Sequence, residues 1–246
     1  MLKRIFLALM AVAVLATGAQ AKTITFAADC TWPPMEFMSE AKQCVGFAPD
    51  LVQAMAKAGG FTAEIQNTAW DGIFAGLAAG KYDAISSSVS ITEERKQAMD
   101  FSDPYFEVKQ GVVVKDGSAI KTEDDLKGKA VGAQIGTTGF FAAQRIVGDS
   151  AKSYDEVGLA IADLAAGRLE AVICDDAVAA DYALTNPEYA KSLALGFMIV
   201  PESPEYLGFA VQKGDAETVA TINAALKAVK DSGEYDTIFK KWFGSN

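Results

Sequence analysis

Short apolar or β-branched runs alternate along most of the chain with longer stretches in which apolar residues recur at helical spacing. This alternation is typical of βαβ units, in which parallel strands are joined by helices. The predicted elements are strand 23–28, helix 49–58, strand 61–66, helix 70–79 and strand 83–86, then strand 130–134, helix 139–147, helix 157–166 and strand 171–174. The pattern therefore predicts an α/β protein with mainly parallel sheets.

One segment of this pattern occurs twice. Residues 77–85, LAAGKYDAI, return as residues 164–172, LAAGRLEAV. In each copy a glycine follows the helical residues, where a helix C-terminus favours a left-handed backbone, and an acidic residue then precedes an apolar strand. The repeat predicts two similar lobes.

Two extended apolar segments, 108–115 and 206–213, suit strands that cross from one lobe to the other. A chain that crosses twice makes the first lobe discontinuous. We therefore predict a first lobe of residues 22–109 and 206–246, to which the C-terminal helices 218–230 and 235–243 return, and a second lobe of residues 110–205.

The N-terminus predicts export. Lys3 and Arg4 precede an apolar run over residues 5–16, and small residues lead up to Ala21, as in a secretory signal peptide cleaved after Ala21. The alternative is a membrane anchor, but the run is shorter than the roughly 20 residues that span a bilayer. Since no cysteine begins the shortened chain, we expect a periplasmic protein without a lipid anchor.

Charge and composition exclude several functions. The net charge is −10, and removal of residues 1–21 leaves 20 basic against 32 acidic side chains, a net charge of −12. This balance argues against nucleic acid, whose phosphates need basic partners; it suits cationic ligands, but equally it keeps an exported protein soluble. The chain has no histidine, which excludes Ser-His-Asp and Cys-His catalysis and removes the commonest neutral metal ligand.

Three cysteines allow one disulfide in an oxidising compartment and leave one thiol over. Cys30 and Cys44 would close a short loop, whereas Cys174 ends an apolar run and is better interpreted as a buried strand residue. We prefer the Cys30–Cys44 pair, although only geometry can exclude a bond from Cys30 to Cys174.

Ligands of open parallel sheets bind beyond the carboxyl ends of the strands. The two repeated strands are followed by residues 86–90, SSSVS, and by residues 174–176, CDD. The repeat places Ser88 opposite Asp175, and with Ser87 and Ser90 this predicts neutral acceptors on one side and a carboxylate on the other. Such a set suits an ammonium group.

Arg95 is the candidate for binding an anion. Thr92 is a suitable helix N-cap, so Arg95 should lie on the first helical turn, where a guanidinium can hold a carboxylate bidentately. The alternative is a surface arginine paired with Glu93 or Glu94. On the second lobe, the loop of Gly136, Thr137 and Thr138 would expose backbone N–H groups to an anion, unless it is an ordinary turn.

Two tryptophans and one acid complete the candidate site. Trp32 and Trp70 lie beside loops assigned to the cleft and could flank an aliphatic stem or a cation, although isolated tryptophans are more often core residues. Asp29 ends the first strand, where it should meet the side chain of a ligand. A carboxylate buried there would need a partner, such as a guanidinium or ammonium group.

These residues and several further motifs resemble the polar amino acid-binding proteins of ABC transporters, solute-binding protein family 3. The resemblance covers essentially residues 22–246, and its order and spacing are specific. The motifs are WPPMEF at 32–37, GFAPDL at 46–51, ITEER at 91–95, DFSDPY at 100–105, DLKGK at 125–129, GTTG at 136–139 and EAVICD at 170–175.

The resemblance implies a type II periplasmic-binding fold and a role for each residue. Arg95 would clamp the α-carboxylate with the Gly-Thr-Thr loop, and the Ser88 carbonyl, the Ser90 hydroxyl and Asp175 would hold the α-amino group. The chain departs from the family pattern at Ala48, where aspartate is usual, at Met35, where phenylalanine is frequent, and in Cys30 and Cys44, which are not general family features.

The predicted function is a non-enzymatic binding protein that delivers an amino acid to a membrane permease, as a monomer and without a cofactor or metal. Asp29 favours arginine or lysine over glutamine and histidine, but glutamine-binding relatives also carry an acid there, so Asp29 excludes acidic ligands more firmly than it selects basic ones. One alternative is a dehydratase-like enzyme on this fold, with Asp29, Glu36, Asp175, Asp176 or a lysine as acid or base. Another is a sensor domain.

Overall fold

The structure, a computed structural model, describes residues 22–244. The predicted signal peptide and its cleavage site therefore lie outside the described residues. Among the helices of residues 22–244, none combines the length and the hydropathy needed to cross a membrane.

Fifteen strands and eight α-helices lie in this range, together with three shorter 3-10 or π-helical segments. The strands are β1 (Thr23–Ala28), β2 (Thr31–Trp32), β3 (Glu36–Met38), β4 (Cys44–Val45), β5 (Thr62–Asn67), β6 (Ala84–Ile85), β7 (Met99–Phe101), β8 (Phe106–Val108), β9 (Gln110–Lys115), β10 (Val131–Gln134), β11 (Lys152–Tyr154), β12 (Ala171–Asp175), β13 (Leu193–Ile199), β14 (Glu205–Leu207) and β15 (Ala210–Gln212). The helices are α1 (Phe47–Gly59), α2 (Ile73–Ala78), α3 (Glu93–Ala98), α4 (Thr138–Val147), α5 (Val157–Ala165), α6 (Asp176–Ala180), α7 (Ala216–Asp231) and α8 (Glu234–Phe243).

The strands form two five-stranded sheets of matching topology. The first lobe is built on the order β5-β1-β6-β15-β7, and the second on β11-β10-β12-β9-β13. In each sheet the first three strands run parallel, and the fourth and fifth are antiparallel to their neighbours. Each sheet is therefore mixed, with a parallel half whose carboxyl ends point to the same edge.

The repeated segment forms the same structure in both lobes. Gly80 and Gly167 have φ values of 68° and 78°, the left-handed backbone that glycine adopts without a Cβ penalty. Each ends its helix with the paired hydrogen bonds of a Schellman motif. Asp83 then accepts a hydrogen bond from the backbone N–H of Thr25 in β1, and Glu170 accepts one from Ala130, the residue before β10, so each acid helps to align two parallel strands.

The two predicted crossing strands are each divided in two. The chain leaves the first lobe through β8, enters the second sheet as β9, and returns through β14 to β15. β8 and β14 pair antiparallel as a ribbon of their own. The division arises because the first residues of each segment pair across the ribbon while the later ones join different sheets. The predicted boundaries at residues 109/110 and 205/206 fall at this ribbon.

The C-terminal helices α7 and α8 pack against α1. Phe47, which has no exposed surface, is the centre of an aromatic cluster with Tyr105, Phe106, Tyr235, Phe239 and Phe243, at ring-centroid distances of 5.2 to 6.4 Å. Burying such rings stabilises a fold mainly through the apolar area removed from water. The cluster attaches the end of the chain to the first lobe.

Cys30 and Cys44 form the disulfide, with 5.7 Å between their Cα atoms, and Cys174 is a buried free thiol. The preferred pairing is therefore confirmed. The bond joins the residue before β2 to β4, within the small three-stranded sheet β2-β3-β4. Both cysteines belong to the first lobe, so the bond does not link the lobes.

We expect the Cys30→Ser/Cys44→Ser double variant to lose about 3 kcal/mol of unfolding free energy, because the bond closes a loop of about 15 residues in the unfolded chain. Urea unfolding of the oxidised proteins measures the loss. The double variant should also be insensitive to a reducing agent that destabilises the wild type. Recovery of a Cys30–Cys174 peptide in non-reducing mapping would contradict the pairing.

Candidate ligand-binding site

One cavity between the lobes collects ten of the eleven predicted site residues. They are Asp29, Trp32, Trp70, Ser87, Ser88, Ser90, Arg95, Thr137, Thr138 and Asp175. The eleventh, Gly136, is not in the cavity wall, but its carbonyl accepts a 3.0 Å hydrogen bond from Arg95. Gln134 also lines the cavity and was not among the predicted residues.

Asp29 lies just beyond the carboxyl end of β1, as predicted, and only 5% of its surface is exposed. Its carboxylate accepts hydrogen bonds from Thr31 Oγ1 and from Gln134 Nε2, both at 2.8 Å. Burial raises the pKa of Asp29, and the two hydrogen bonds oppose that rise. Asp29 therefore has protein partners of its own, one of them from the opposite lobe.

Gln134 is the last residue of β10, the strand of the second lobe that corresponds to β1. Its Nε2 donates to Asp29 and also to the carbonyl of Asp155, both at 2.8 Å. An amide has only two N–H protons, so its carbonyl oxygen is what Gln134 has left for a ligand. The rule that singled out Asp29, a polar residue at the carboxyl end of a strand, applies equally to Gln134.

Asp175 ends β12 and is also 5% exposed. Trp32 Nε1 donates to one carboxylate oxygen at 3.2 Å, across the cleft, and Gln110 Nε2 donates to the other at 2.9 Å. Burial, followed by the nearby negative charge of Glu205, raises the pKa of Asp175 to about 7. Trp32 therefore contributes a polar contact to the site in addition to its aromatic face.

The serine segment 86–90 faces Asp175 from the first lobe. Ser87 Oγ accepts from the backbone N–H of Asp29 at 2.9 Å. Ser88 has a φ of 47°, which is uncommon for a residue with a Cβ, and its hydroxyl donates to Glu36 at 3.1 Å. Glu36 has no exposed surface, and burial raises its pKa well above the ordinary value. The side chain of Ser88 is thus fixed by a hydrogen bond to a buried acid.

Arg95 lies on the first turn of α3, which Thr92 caps by accepting from the Arg95 backbone N–H at 3.1 Å. Its guanidinium donates to the carbonyls of Ser90 and Gly136, at 2.9 and 3.0 Å. It also stacks over Trp70 and Phe74, at 5.6 and 5.2 Å from the ring centroids. Neither Glu93 nor Glu94 forms an ion pair with Arg95 among the described residues.

The Gly-Thr-Thr loop begins α4. Thr137 is the N-cap and accepts from the backbone N–H of Phe140 at 3.1 Å. Gly136 has a φ of 69°, which glycine favours, and this turn brings its carbonyl to Arg95. The first N–H groups of a helix have no partner within it, so this end of α4 can bind an anion.

Two residues of the crossing strands contribute to the site without having been predicted. Glu205 of β14 accepts from Ser90 Oγ at 2.6 Å and from Thr138 Oγ1 at 2.7 Å. Gln110 of β9 donates to Asp175 and, at 3.1 Å, to Thr138 Oγ1. Neither residue follows a parallel strand, so the strand-end rule gives no signal for them.

The cavity has more negative than positive groups. Two carboxyl groups, Asp29 and Asp175, line the cavity together with a single arginine, Arg95. The polar contacts of all three reach across the cleft, and a third carboxyl, Glu205, lies behind the cavity wall and is bonded to Ser90 and Thr138. In the part of the chain that the structure describes, no cluster of three or more acidic or cysteine side chains is arranged to hold a metal ion. The arrangement therefore suits an organic ligand with one anionic group and more than one cationic or donor group.

Residues 24–245 match the family described as bacterial extracellular solute-binding proteins, family 3. The chain belongs to this family. The membership confirms the resemblance seen in the sequence motifs. The similarity to solved structures of amino acid-binding proteins, at TM-scores of 0.78 and 0.85, confirms the two-lobed type II periplasmic-binding fold.

Two relatives are similar to this chain over most of their length. The probable histidine-binding protein of Neisseria gonorrhoeae is 41% identical over 227 residues, which cover 90% of this chain and 83% of that protein. The arginine-, lysine-, histidine-binding protein ArtJ of Geobacillus stearothermophilus has a solved structure with 41% identity and a TM-score of 0.85, covering 92% of this chain and 96% of that one.

A second solved structure is similar at lower identity. The ancestral amino acid-binding protein AncCDT-1, a precursor of cyclohexadienyl dehydratase, is 36% identical with a TM-score of 0.78, over 90% of this chain and 95% of that one.

The pKa of Asp175 predicts a dependence of stability on pH. Because the folded-state pKa of about 7 lies above the ordinary 3.8, the folded protein holds a proton that the unfolded chain has lost between these values. The stability from this group is full below about pH 4 and is lost as the pH rises through 7.

We therefore expect Asp175→Asn to show a smaller decrease in unfolding free energy between pH 4 and pH 8 than the wild type, in ligand-free urea unfolding. Asp149→Asn, at an exposed carboxyl, is the control and should follow the wild type. Parallel pH profiles of wild type and Asp175→Asn would show that Asp175 titrates normally.

Proposed function

We propose that this family member captures a cationic α-amino acid, arginine or lysine before histidine and glutamine, and delivers it to an ABC transporter permease. The protein acts as a monomer in the periplasm, after cleavage behind Ala21 and without a lipid anchor, and it carries out no chemical reaction. The observation that carries the ligand class is the excess of carboxylates over arginine in the cavity. A zwitterion with a cationic side chain has two positive groups and one negative group, which complements this set.

The α-carboxylate is assigned to Arg95 and to the backbone N–H groups at the start of α4. Arg95 already donates to two carbonyls, but a guanidinium has five N–H donors, so three are left for a ligand. The cation–π contacts of the guanidinium with Trp70 and Phe74 help to hold it in place. Trp70 therefore supports the anion site, rather than flanking the ligand stem on its own.

The α-ammonium group is assigned to Asp175, the Ser88 carbonyl and the Ser90 hydroxyl. An ammonium favours the ionised form of Asp175, so binding should release a proton where the free protein holds one. The left-handed backbone of Ser88 and its bond to Glu36 support this assignment, because they hold the backbone of Ser88 in a defined direction.

The ligand side chain is assigned to Asp29 and Gln134. Both present oxygen acceptors to this end of the cavity, since the N–H groups of Gln134 are used by Asp29 and Asp155. A donor-rich tip such as a guanidinium satisfies them, whereas a carboxylate would be repelled. The relatives described as binding histidine, or arginine, lysine and histidine, support the same ligand class.

Closure of the two lobes completes the site. Three hydrogen bonds already cross the cleft, from Gln134 to Asp29, from Trp32 to Asp175 and from Arg95 to Gly136. A ligand that adds partners on both sides binds the closed form more tightly than the open one and shifts the population toward it. The permease would then receive the closed, loaded protein.

The enzyme alternative has a specific observation in its favour, since a precursor of a dehydratase is among the similar structures. Yet the acids that line the cavity are hydrogen-bonded to neighbouring residues. Glu36 has one oxygen without a partner among the described residues, but it is not part of the cavity wall. Incubation with amino acids and prephenate-like acids, followed by product analysis, decides the matter, and any turnover would refute a purely binding role.

We expect Arg95→Ala to weaken ligand binding by about 2–5 kcal/mol, because it removes a bidentate, partly buried contact. Calorimetry measures the loss, and Arg145→Ala, at a surface arginine paired with Glu123, should bind normally. Scattering should show contraction on adding ligand in the wild type and in the control. Near-normal affinity of Arg95→Ala would refute the carboxylate assignment.

In calorimetry with arginine, lysine, histidine, glutamine and glutamate, we expect arginine or lysine to bind most tightly and glutamate most weakly. Asp29→Asn should reduce the affinity for arginine and lysine by about tenfold or more and that for glutamine much less, because the ion pair is lost while the hydrogen-bonding geometry remains. Tightest binding of glutamate or of a plain aliphatic amino acid would contradict the proposed ligand class.

A further inference from the structure

Glu205 is a carboxylate in contact with the cavity wall to which the proposed function gives no ligand group. It lies on β14, in the ribbon that connects the lobes, and a single oxygen, Oε1, accepts from Ser90 Oγ at 2.6 Å and from Thr138 Oγ1 at 2.7 Å. Ser90 belongs to the first lobe and Thr138 to the second. The carboxylate of Glu205 therefore binds one hydroxyl from each side of the cleft, at the base of the site.

These two bonds determine how the hydroxyls can act. A hydroxyl has one proton to donate and two lone pairs with which to accept. An ionised carboxylate can only accept hydrogen bonds. In both contacts the hydroxyl of Ser90 or Thr138 must therefore be the hydrogen-bond donor and Glu205 the acceptor. The two hydroxyl oxygens, 3.4 Å apart, are then left with lone pairs only, and each can act toward a third group only as an acceptor.

The remaining contacts agree with this direction. Gln110 Nε2, which can only donate, lies 3.1 Å from Thr138 Oγ1 and fills one of the acceptor positions of the threonine. Within the described residues, Ser90 Oγ has no corresponding donor, so its acceptor position is available. A ligand carboxylate needs donors and cannot use either hydroxyl, whereas an ammonium group can donate to Ser90.

We propose that Glu205 is a positioning residue. It accepts hydrogen bonds from the hydroxyls of Ser90 and Thr138 and thereby orients Ser90 Oγ as an acceptor for the α-ammonium group. The inference rests on the proposed function, since it needs an α-amino acid as the ligand. With this orientation the two ends of the ligand backbone bind to different groups. The α-carboxylate is bound by the donors of Arg95 and of backbone N–H groups, and the α-ammonium group is bound by oxygen acceptors alone.

A direct charge attraction between Glu205 and the ligand would also favour an ammonium group, and two substitutions distinguish the mechanisms. Glu205→Met has a similar length and only the weak acceptor of a thioether sulfur, so it frees both hydroxyl protons from the carboxylate. Glu205→Gln loses the charge but keeps a carbonyl oxygen that can accept them. Orientation through the hydroxyls predicts that the glutamine variant retains most of the affinity, whereas charge attraction predicts equal losses.

The experiment measures, by calorimetry, the affinity of each variant for two ligands. They are the tightest-binding amino acid of the panel and its des-amino analogue, which for arginine is 5-guanidinopentanoate. We expect Glu205→Met to bind the amino acid about tenfold more weakly and the analogue within twofold of the wild type, and Glu205→Gln to bind both within about threefold. Glu107→Met is the matched control, since Glu107 lies on β8, the other strand of the ribbon, with an exposed side chain, and it should bind both normally.

Ser90→Ala provides a second measurement away from the ribbon. Combined with Glu205→Met, it should weaken binding no further than either change alone, because Glu205 acts through Ser90. Additive losses, equal losses for methionine and glutamine at 205, or an equal loss for the des-amino analogue would each overturn the proposal. A wild type that binds no amino acid would refute the proposed function itself, and this inference with it.

Discussion

The burial of carboxylates at the cleft is the constraint on which the rest of the structure depends. An ionised group taken out of water is costly unless it is paired or hydrogen-bonded. Asp29 and Asp175 are each 5% exposed, and each is bound by a donor from the opposite lobe, Gln134 or Trp32. The lobes therefore satisfy each other's charges, and the site exists as a unit only when both sides are present.

The internal repeat explains how these groups come to face one another. In both lobes a glycine-capped helix is followed by an acid that hydrogen-bonds the neighbouring strand, and then by a short buried strand. The parallel strands of the two sheets therefore present their carboxyl ends at equivalent edges. Ser88 and Asp175, which correspond in the repeat, line the same cavity, because the ribbon of β8 and β14 brings these edges together.

The hydrogen-bond directions inside the cavity divide it by chemistry. Around Arg95 and the start of α4 the protein offers donors, while Asp29, Gln134, Asp175 and the Ser90 region offer acceptors. The division suits a zwitterion whose side chain also donates. It also explains why the two tryptophans differ in use: Trp32 donates to a carboxylate, and Trp70 stacks on the guanidinium.

Local patterns in the sequence determined the two similar lobes, most of the parallel strands and the longer helices, and ten of the residues that line the cavity. Several shorter elements, among them β7, β11 and α6, and the long edge strand β13 were not predicted. Apolar periodicity, glycine caps and the position of polar residues after strands act over a few residues, so they can be read without the fold. The limits of this reading appear at Val108 and Leu207, where predicted continuous strands divide between the ribbon and the sheets.

Only the tertiary structure decided which groups meet across the cleft. Gln110 and Glu205 lie on crossing strands, far along the chain from Ser90, Thr138 and Asp175, and no local pattern marks them. The contacts of Asp29 with Gln134 and of Trp32 with Asp175 were likewise decided by the approach of the two lobes. Contacts of this kind depend on three-dimensional distance and on the direction of each hydrogen bond, and neither is encoded in the spacing of residues along the chain.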